Sequence, residues 1–208
     1  MSMAKGARKD MLLDAAVRSY VKSGVQGLTT KALAKEAECS EALIYKYFRS
    51  KDELICEAYL RMHGKIDEKL SAIDIPMDAG RKELTEFAVS LWDTMFDFFV
   101  GLGAESLFYF GYRLSDGFLA DKERTKPNDS KFLPLIEWLA NRLGLDVPAS
   151  EYRTFVTYTT GAFVQSFVNG DLPYTEENVA TVRRMVFGGV LRTHPDYCTL
   201  ARCGPDGL

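Results

Sequence analysis

The sequence predicts an all-α protein, because its apolar residues recur at helical spacing along most of the chain. Nine stretches carry apolar side chains three or four positions apart, and Gly, Pro or short polar runs separate them. No stretch keeps the strict alternation of apolar and polar residues that indicates a strand. With 208 residues, 47% of them hydrophobic, the chain is long enough to bury a substantial core.

The first three predicted helices, at about 8–23, 30–37 and 41–48, form a small N-terminal head. Their apolar faces predict a shared core, made of Leu12, Ala16, Tyr20, Leu28, Leu33, Ala37, Leu43 and Phe48. Between the second and third helices, Glu38 and Cys39 leave room only for a sharp turn. These two helices therefore predict a helix-turn-helix, with the second helix of the pair presented outward.

Capping residues mark where the helices of the head begin. Thr29 and Ser40 each stand directly before an apolar helical pattern, and both are residue types favoured at N-caps. Ser50 and Glu53 are spaced as a capping box. In such a box the Ser50 hydroxyl accepts from the Glu53 amide, and the Glu53 carboxylate accepts from the Ser50 amide. A fourth helix is expected to start directly after Ser50.

Composition divides the chain into four segments. The helix-turn-helix domain is expected over 1–50, a connecting helix over 51–75, a larger helical domain over 76–194 and an irregular tail over 195–208. Pro76 marks the boundary after the connecting helix. The larger domain holds five further predicted helices, at about 79–100, 103–117, 130–144, 148–169 and 175–193.

Charge is unevenly distributed between the head and the rest of the chain. Residues 1–65 carry 12 Lys or Arg against 8 Asp or Glu, whereas residues 66–208 carry 14 against 21, for a net charge of -3. A basic head on an acidic body suggests that only the head meets a polyanion. The N-terminus lacks the apolar centre of a signal peptide, and no window is apolar enough for a membrane helix. We therefore expect a cytoplasmic protein without a membrane partner.

The residue types required for catalysis or metal binding are sparse. The four cysteines are widely spread, none forms a CxxC, and there are only two histidines. This pattern favours reduced thiols over a zinc site. No nucleophile motif or phosphate-binding loop is present. We expect no catalytic residue, metal or cofactor, so an enzyme is the weaker alternative. A helix-turn-helix that binds another protein instead of DNA is the second alternative.

Residues 8–54 resemble the N-terminal domain of the TetR family of transcriptional regulators. The resemblance is carried by the first helix ending at Gly24, Leu28-Thr29-Thr30, Leu33-Ala34, Ala37, Ser40 and above all the run YKYFRSKDEL from Tyr45 to Leu54. Three positions depart from the family: Glu38 stands where glycine is most common, Cys39 where a small aliphatic residue is usual, and Tyr47 where histidine is frequent. Glu38 makes a left-handed turn less comfortable.

The resemblance implies that the head binds double-stranded operator DNA. The implied contacts are Thr30, Lys31, Ser40, Glu41, Ala42, Tyr45, Lys46, Tyr47 and Lys51. The start of the second helix, at Thr30, would bind a phosphate. In the major groove, Glu41 could accept from a cytosine amino group and Ala42 could contact a thymine methyl. Tyr47 and Lys51 would contact the DNA backbone.

Three basic residues near the N-terminus, Lys5, Arg8 and Lys9, would add salt-dependent attraction without reading the base sequence. For Tyr45 and Tyr47 the alternative is ordinary aromatic packing, and for the lysines it is a solvated helix face. The capped helix-turn-helix context favours the DNA-binding interpretation over both alternatives.

Aromatic residues crowd into one third of the chain, and charged residues interrupt them. Desolvating those charged groups in a closed core would be costly, so the pattern predicts a cavity for a small, largely apolar molecule. In the TetR family such a cavity binds the inducer. The predicted lining residues are Trp92, Phe96, Phe108, Tyr109, Tyr112, Arg113 and Trp138, with Arg113 as a candidate anchor for an anionic ligand. A solidly packed core is the alternative.

The last two predicted helices each have a face with little charge and with small residues that permit close approach. A two-fold, four-helix interface follows, as in the dimers of the family. The predicted dimer residues are Phe155, Thr159, Ala162, Phe163, Val182, Val186 and Gly189. Packing within one subunit is the alternative. The whole sequence thus predicts a ligand-responsive transcriptional regulator, a repressor that binds a palindromic operator as a homodimer and is released by an effector of unknown identity.

Overall fold

The computed structural model describes residues 2–115, 118, 132–145 and 148–191. Within these residues the all-α class is confirmed. The described α-helices are α1 Ser2–Ser23, α2 Thr30–Glu36, α3 Glu41–Tyr47, α4 Lys51–Ser71, α5 Arg81–Leu102, α6 Ala104–Arg113, α7 Phe132–Leu143, α8 Ala149–Val168 and α9 Glu176–Leu191. A short 3-10 helix, Val25–Gly27, joins α1 to α2. The predicted irregular tail over 195–208 lies outside the described residues.

The core of the head forms from the apolar faces of α1, α2 and α3. Leu12, Ala16 and Leu33 are completely buried, and so is Ile44 on α3. Ile44 takes the central position on α3, whereas Leu43, which was predicted there, is only half-buried. These contacts fix α3 by one face and leave its other face free.

The turn between α2 and α3 is a Schellman motif, a helix end closed by two backbone hydrogen bonds. The Glu38 amide donates to the Lys35 carbonyl at 3.2 Å, and the Cys39 amide donates to the Ala34 carbonyl at 2.9 Å. This geometry requires a left-handed residue, and Glu38 adopts it with φ of 50°. The strained turn expected at Glu38 is therefore present.

The predicted caps are confirmed in part. Thr29 accepts a hydrogen bond from the Ala32 amide through its hydroxyl, at 3.1 Å. The Ser50 hydroxyl accepts from the Glu53 amide at 3.1 Å, which is one half of the predicted capping box. The other half differs, because the Glu53 carboxylate accepts from the Arg49 amide and not from the Ser50 amide. The carboxylate reaches one residue further back and still stabilises the start of α4.

The chain forms two compact units, and their boundaries differ from the linker-based expectation. The first unit comprises Met1–Glu68 with Ala104–Asp129, and the second comprises Lys69–Gly103 with Ser130–Leu208. Helix α6 therefore groups with the head. Composition alone could not indicate this, because α6 follows α5 in sequence but packs on α1.

Two close contacts join α6 to α1 in the first unit. The ring of Tyr20 on α1 lies edge-on against Phe108 on α6, with ring centroids 5.5 Å apart. Gly111 faces the same tyrosine, and a Cβ at this position would lie 1.7 Å from the Tyr20 hydroxyl oxygen. The absence of a side chain at Gly111 is what permits the two helices to approach this closely.

Ion pairs fix α4 to its neighbours within the first unit. Arg61 pairs with Asp14 of α1 at 2.6 Å. Lys65 donates to both carboxylate oxygens of Glu105 on α6, at 2.7 and 2.6 Å. Helix α4 thus contacts the head on one side and α6 on another.

The second unit packs α5, α7, α8 and α9 around an aromatic core. Trp92 and Phe96 of α5 stack with centroids 4.6 Å apart, and Phe96 meets Phe167 of α8 edge-on. The Trp92 indole donates to the Thr160 hydroxyl at 3.1 Å, which satisfies its polar group inside the core. Among the residues that the structure describes, no single helix is both long and apolar enough to cross a membrane, although α5 and α6 taken together meet that test.

Candidate DNA-binding surface and ligand-binding cluster

Helix α3 presents four of the predicted DNA contacts on its solvent side. Glu41, Ala42, Tyr45 and Lys46 are all exposed, and 55% of the Tyr45 surface is accessible. The opposite side of α3 carries the completely buried Ile44. The short helix is therefore held through one face while the other face remains available to a partner.

The start of α2 lies beside this exposed face. The hydroxyl oxygens of Thr30 and Tyr45 are 3.5 Å apart, so the two helices meet at this point. Lys31 is exposed and the first turn of α2 contains no acidic residue, which suits the approach of a phosphate. We call the half-buried Thr30 and the exposed Lys31, Glu41, Ala42, Tyr45 and Lys46 together the α2–α3 surface.

Three basic residues outside the α2–α3 surface, Lys9, Arg18 and Lys22, pair with neighbouring acids. Glu36 accepts from Arg18 at 2.8 Å and also pairs with Lys22. The hydrogen bond from Lys22 is the main reason why the pKa of Glu36 is lowered, and the bond from Arg18 adds to it. Lys9, from which the sequence predicted salt-dependent attraction to DNA, pairs with Glu57 and lies 5.6 Å from the centroid of the Phe48 ring.

The lysines of the α2–α3 surface are in a different position. Lys31 and Lys46 form no ion pair with any residue in the described ranges. Lys51, at the start of α4, lies 3.5 Å from the neighbouring Asp52 carboxylate and stays partly exposed. Two positive charges without an ion pair in the described ranges, Lys31 and Lys46, therefore lie where a polyanion would approach.

The two remaining predicted DNA contacts lie beside α3. Ser40 occupies the N-cap position and is exposed, but its hydroxyl makes no capping hydrogen bond. Tyr47 is half-buried at the end of α3. The structure brings all nine predicted residues into the head or its junction with α4, and their contact with DNA stays a prediction.

The seven predicted ligand-binding residues are divided between the two units. Phe108, Tyr109, Tyr112 and Arg113 lie on α6 in the first unit. The other three, which lie on α5 and α7 of the second unit, are Trp92, Phe96 and Trp138. The seven residues therefore form two groups, one in each unit. Their role in ligand binding remains a prediction.

In the first unit, α6 meets two residues of α4 that the sequence had not singled out. The Tyr59 and Tyr109 rings stack with centroids 5.0 Å apart, and His63 lies edge-on to both. Tyr59 and His63 are one helical turn apart, and in the sequence this spacing does not distinguish them from the other residues of the buried stripe on α4. We call the set Tyr59, His63, Tyr109, Tyr112, Arg113 and Phe118 the α4–α6 cluster.

Arg113 supplies the positive charge of the α4–α6 cluster. Its Nη1 donates to the hydroxyls of Tyr59 at 3.1 Å and Tyr109 at 3.4 Å. Its guanidinium carbon lies 5.8 Å from the Tyr109 ring centroid and 5.6 Å from that of Phe118, which is cation–π distance. In the described part of the chain Arg113 has no carboxylate partner, and its Nε is buried without a hydrogen bond.

His63 is held in its neutral form. Its Nε2 lies 2.8 Å from the Tyr59 hydroxyl, while its Nδ1 is buried without a partner in the described residues. Burial is the main cause that lowers the pKa of His63 to about 4, and the positive charge of Arg113 lowers it further. Burial also raises the pKa of Tyr59 and of Tyr109, so both stay protonated.

In the second unit, the predicted ligand residues are packed by neighbouring side chains. Trp92 and Phe96 are buried in the aromatic core, and Trp138 is half-buried with the Arg142 guanidinium 6.0 Å from its ring. A surface groove runs along α5 past Asp93 and Asp97, and no predicted ligand residue lines it. Among the described residues, no group of three or more His, Cys, Asp or Glu side chains is arranged to hold a metal ion.

The predicted dimer residues fall into two classes. On α8, Phe155 and Ala162 are exposed, Thr159 and Phe163 are half-buried, and Tyr158 adds a further exposed ring. On α9, by contrast, Val182 and Val186 are each only 2% exposed and pack inside the second unit, while Gly189 lies further along the same helix. The two valines have almost no surface left to bury in an interface. The exposed side of α9 carries Thr181, Arg184 and Met185.

Residues 12–58 match the family described as bacterial regulatory proteins, tetR family. A curated relative, the uncharacterized HTH-type transcriptional regulator YvkB of Bacillus subtilis (strain 168), is 44% identical over 53 residues. That alignment covers 26% of this chain and 28% of the relative, so the chain matches little more than a quarter of the relative's length. The family match falls on the head and the start of α4.

Solved structures extend the similarity over most of the chain. A TetR family transcription regulator from Marinobacter aquaeolei VT8 has a TM-score of 0.65, with 91% of this chain and 98% of that chain covered. A TetR-like transcriptional regulator from Rhodococcus sp. RHA1 has a TM-score of 0.64 over 88% and 94%. FadR from Bacillus subtilis, in complex with stearoyl-CoA, has 0.64 over 86% and 98%. Each is 18% identical to this chain, so these similarities show a shared fold.

Proposed function

We propose that the chain is a TetR-family transcriptional repressor that binds a palindromic operator as a homodimer. A small, largely apolar molecule releases it from DNA. The match of residues 12–58 to that family and the fold shared with its solved structures support this proposal. The observation that carries the proposal is the α2–α3 surface, where outward-facing residues of a capped helix-turn-helix lie within the family match at 12–58. The proposal assigns no catalysis to the chain.

Sequence readout falls to α3 in this proposal. The Glu41 carboxylate accepts a hydrogen bond from a cytosine amino group, and the Ala42 methyl contacts a thymine methyl in the major groove. Lys46 and Tyr45 lie on the same exposed side of α3 and approach base edges together with them. Thr30, at the start of α2, positions the head on a phosphate.

A palindrome requires two heads, and the exposed face of α8 supports a two-fold contact. Phe155 and Tyr158 are exposed aromatic rings on α8. Ala162, four residues beyond Tyr158, is small and exposed, so it permits a second helix to approach closely. Met185 on α9 is 58% exposed and extends the apolar area in place of the buried valines. In the dimer the two heads lie about 34 Å apart, which is the spacing of successive major grooves.

Ligand control follows from a shift between two populations of the dimer. In one population the spacing of the heads fits both half-sites, and in the other it does not. A ligand releases DNA only if it binds the second population more tightly, because equal affinity for both would shift nothing. Helix α4 begins at Lys51 beside the α2–α3 surface and carries part of the α4–α6 cluster, which supports it as the element that connects ligand and head.

The proposal is tested by gel shift with DNA from upstream of the protein's own gene, at several salt concentrations. Because phosphate contacts release counterions, the affinity should fall steeply as salt rises. Random DNA of equal length is the comparison. Absence of a shift at low salt on any upstream fragment would remove the DNA-binding proposal, and binding without salt dependence would favour the alternative of a protein partner.

Two substitutions separate backbone contacts from base readout. Lys51→Ala should weaken binding to specific and random DNA alike and reduce the salt slope by about 2, because the dimer loses one phosphate contact from each head. Glu41→Ala should cost about a hundredfold on the operator and little on random DNA, because each head of the dimer loses a base contact. Lys82→Ala, at an exposed lysine of α5, is the control. Equal losses on both DNAs for Lys51 and Glu41 would contradict the assigned roles.

A further inference from the structure

We propose that the effector of this regulator is an apolar molecule carrying an oxyanion, and that Arg113 of the α4–α6 cluster binds that anionic group. This inference rests on the proposed ligand-responsive function and deepens it by naming the chemical class of the ligand. It also assigns the anion-binding position to the first unit, which contains the DNA-binding head.

The first argument is the charge of Arg113. The Arg113 side chain is half-buried, and a guanidinium that loses part of its hydration is costly unless an anion or hydrogen bonds compensate it. Within the described residues, Arg113 has tyrosine hydroxyls and aromatic rings around it and no carboxylate. Among the described residues no anion balances this charge, which leaves that role to a ligand in the present proposal.

The second argument is the geometry of the guanidinium. Both of its described hydrogen bonds leave from Nη1, so the edge formed by Nε and Nη2 makes none. This edge is one of the two through which arginine binds a carboxylate or related oxyanion with two parallel hydrogen bonds. The neutral His63 contributes a second unpartnered buried nitrogen, its Nδ1, in the same cluster. Two buried nitrogen atoms of the α4–α6 cluster, Arg113 Nε and His63 Nδ1, thus have no hydrogen-bond partner among the described residues.

The third argument is the apolar lining. Three tyrosines of the cluster expose at most 3% of their surface: Tyr59, Tyr109 and Tyr112. The ring of Tyr59 stacks on that of Tyr109 and is tilted against that of Tyr112. Phe118 packs edge-on to Tyr59 and Tyr112. A ligand that reaches Arg113 must replace contacts among these rings, and only an apolar or aromatic body does so without a large desolvation cost.

The position of the cluster gives a bound anion a route to the head. Arg113 lies two residues beyond Gly111, the position at which α6 touches Tyr20 of α1. The same helix places Phe108 against the Tyr20 ring. A displacement of α6 at Arg113 therefore changes the contact with α1 directly. The anion and the head are linked through one helix and one aromatic contact.

The test uses two fluorescent probes with the same aromatic body and different charge. Anilinonaphthalene sulfonate carries an oxyanion, and phenylnaphthylamine is its uncharged parent. The full-length wild-type protein should bind the sulfonate at least about tenfold more tightly, because a hydrogen-bonded ion pair favours it. Arg113→Gln should abolish this preference and leave the affinity for the uncharged probe within about twofold. Arg153→Gln, which removes an arginine of the second unit that pairs with Glu137, is the control.

An unchanged preference for the sulfonate in Arg113→Gln would overturn the inference. If circular dichroism shows a lowered melting temperature for that variant, Arg113→Lys serves in its place. It keeps the positive charge but not the planar guanidinium, and it should show a smaller preference for the sulfonate over the uncharged probe. A displacement assay on the wild-type protein needs no variant. Decanoate should displace the bound sulfonate probe at a far lower concentration than decanol, and equal displacement would also overturn the inference.

The gel shift separates this inference from the proposed function. Should the protein bind its upstream DNA while probe binding is indifferent to Arg113, only the ligand class proposed here fails. Should it bind no DNA, the regulatory function fails whatever the probes show. Decanoate should also release the DNA at lower concentrations than decanol in the wild-type protein, and Arg113→Gln should remove that difference.

Discussion

At the scale of single residues, Glu38 holds the turn of the helix-turn-helix in a conformation that suits glycine. Its φ of 50° places the Cβ near the following carbonyl oxygen, which is a steric cost that glycine does not have. Two backbone hydrogen bonds of the Schellman motif hold the residue there. The cost at Glu38 is thus offset by closure of the α2 C-terminus.

Glu38→Gly should stabilise the head. We expect the free energy of unfolding in urea to rise by about 1 kcal/mol, because relief of the left-handed strain exceeds the greater chain entropy of glycine. Lys35→Gly is the matched control, since it places glycine inside α2 at ordinary helical φ and should cost about 1 kcal/mol. A lower stability for Glu38→Gly than for the wild-type protein would show that the glutamate makes a compensating contact.

His63 makes stability depend on pH. Folding lowers its pKa from 6.5 to about 4, so between these values the unfolded chain binds the proton that the folded chain excludes. The free energy of unfolding should therefore fall as the pH drops from 6.5 to 4, by about 3 kcal/mol if His63 acts alone. Below pH 4 both states are protonated and this dependence ends.

Urea unfolding at a series of pH values checks the role of His63. His63→Phe removes the titrating group, and its curve should be flatter than the wild-type curve across this window, whatever its absolute stability. Parallel curves for the two proteins would show that carboxylates cause the acid sensitivity. Glu36 provides a distinct contribution at lower pH, because Lys22 and Arg18 lower its pKa and its ion pairs are lost as it protonates.

At the scale of elements, the sequence indicated where helices begin and end better than which helices pack together. Thr29 and Ser50 predicted two helix starts correctly, because a cap acts on amides within the next turn. Local spacing carries no such information about partners. The stripe containing Val182 and Val186 was expected at a dimer interface, yet the other helices of the second unit cover it.

Tyr59 and His63 were missed for the same physical reason. Their spacing on α4 is that of any buried stripe, and nothing local shows that Arg113 of α6 lies opposite them. The chemistry of Arg113 was recognisable from sequence as an interruption in an aromatic run. Its partners became visible only once the packing of α6 on α4 was known.

Gly111→Ala tests the packing of α6 on α1. The added methyl would overlap the Tyr20 hydroxyl and ring, so we expect a loss of about 2 kcal/mol in the free energy of unfolding. Gly101→Ala, at a helical glycine of α5 with open space around it, should instead be neutral or stabilising.

Removal of the opposing ring provides the matched test of this contact. In the double variant Tyr20→Ala/Gly111→Ala the alanine methyl no longer meets the tyrosine, so the double variant should lose less stability than the sum of the two single variants. Strict additivity would show that the two residues do not meet in solution.

At the scale of the whole molecule, the proposed activity requires two chains. The exposed α8 face, with Phe155 and Ala162, is the part of the second unit that a partner copy would cover. Binding to one half-site by one head is weak, and affinity for a palindrome comes from the simultaneous engagement of both heads. Oligomeric state and operator affinity should consequently change together.

Ala162→Arg should separate the dimer. A long charged side chain at this exposed small residue cannot be buried between two helices without a partner, so sedimentation at micromolar concentration should show monomers. Operator affinity should fall with it, while the affinity for a single half-site stays unchanged. Ser90→Arg, at an exposed position of α5, is the control and should remain dimeric. Persistence of the dimer in Ala162→Arg would place the interface elsewhere.

The interruption of the first unit by α5 limits how this protein can be recombined. Because α6 packs on α1, a fragment ending at residue 50 would lack Leu54, Tyr59 and Phe108, three buried side chains of the first unit, and would expose the apolar surface that they cover. A chimaera that joins this head to the body of another regulator must therefore transfer two separate pieces of chain, Met1–Glu68 and Ala104–Asp129. A single crossover that exchanges the head would yield a hybrid whose first unit combines core residues from both parents. This restricts the gene fusions through which new operator specificities could arise.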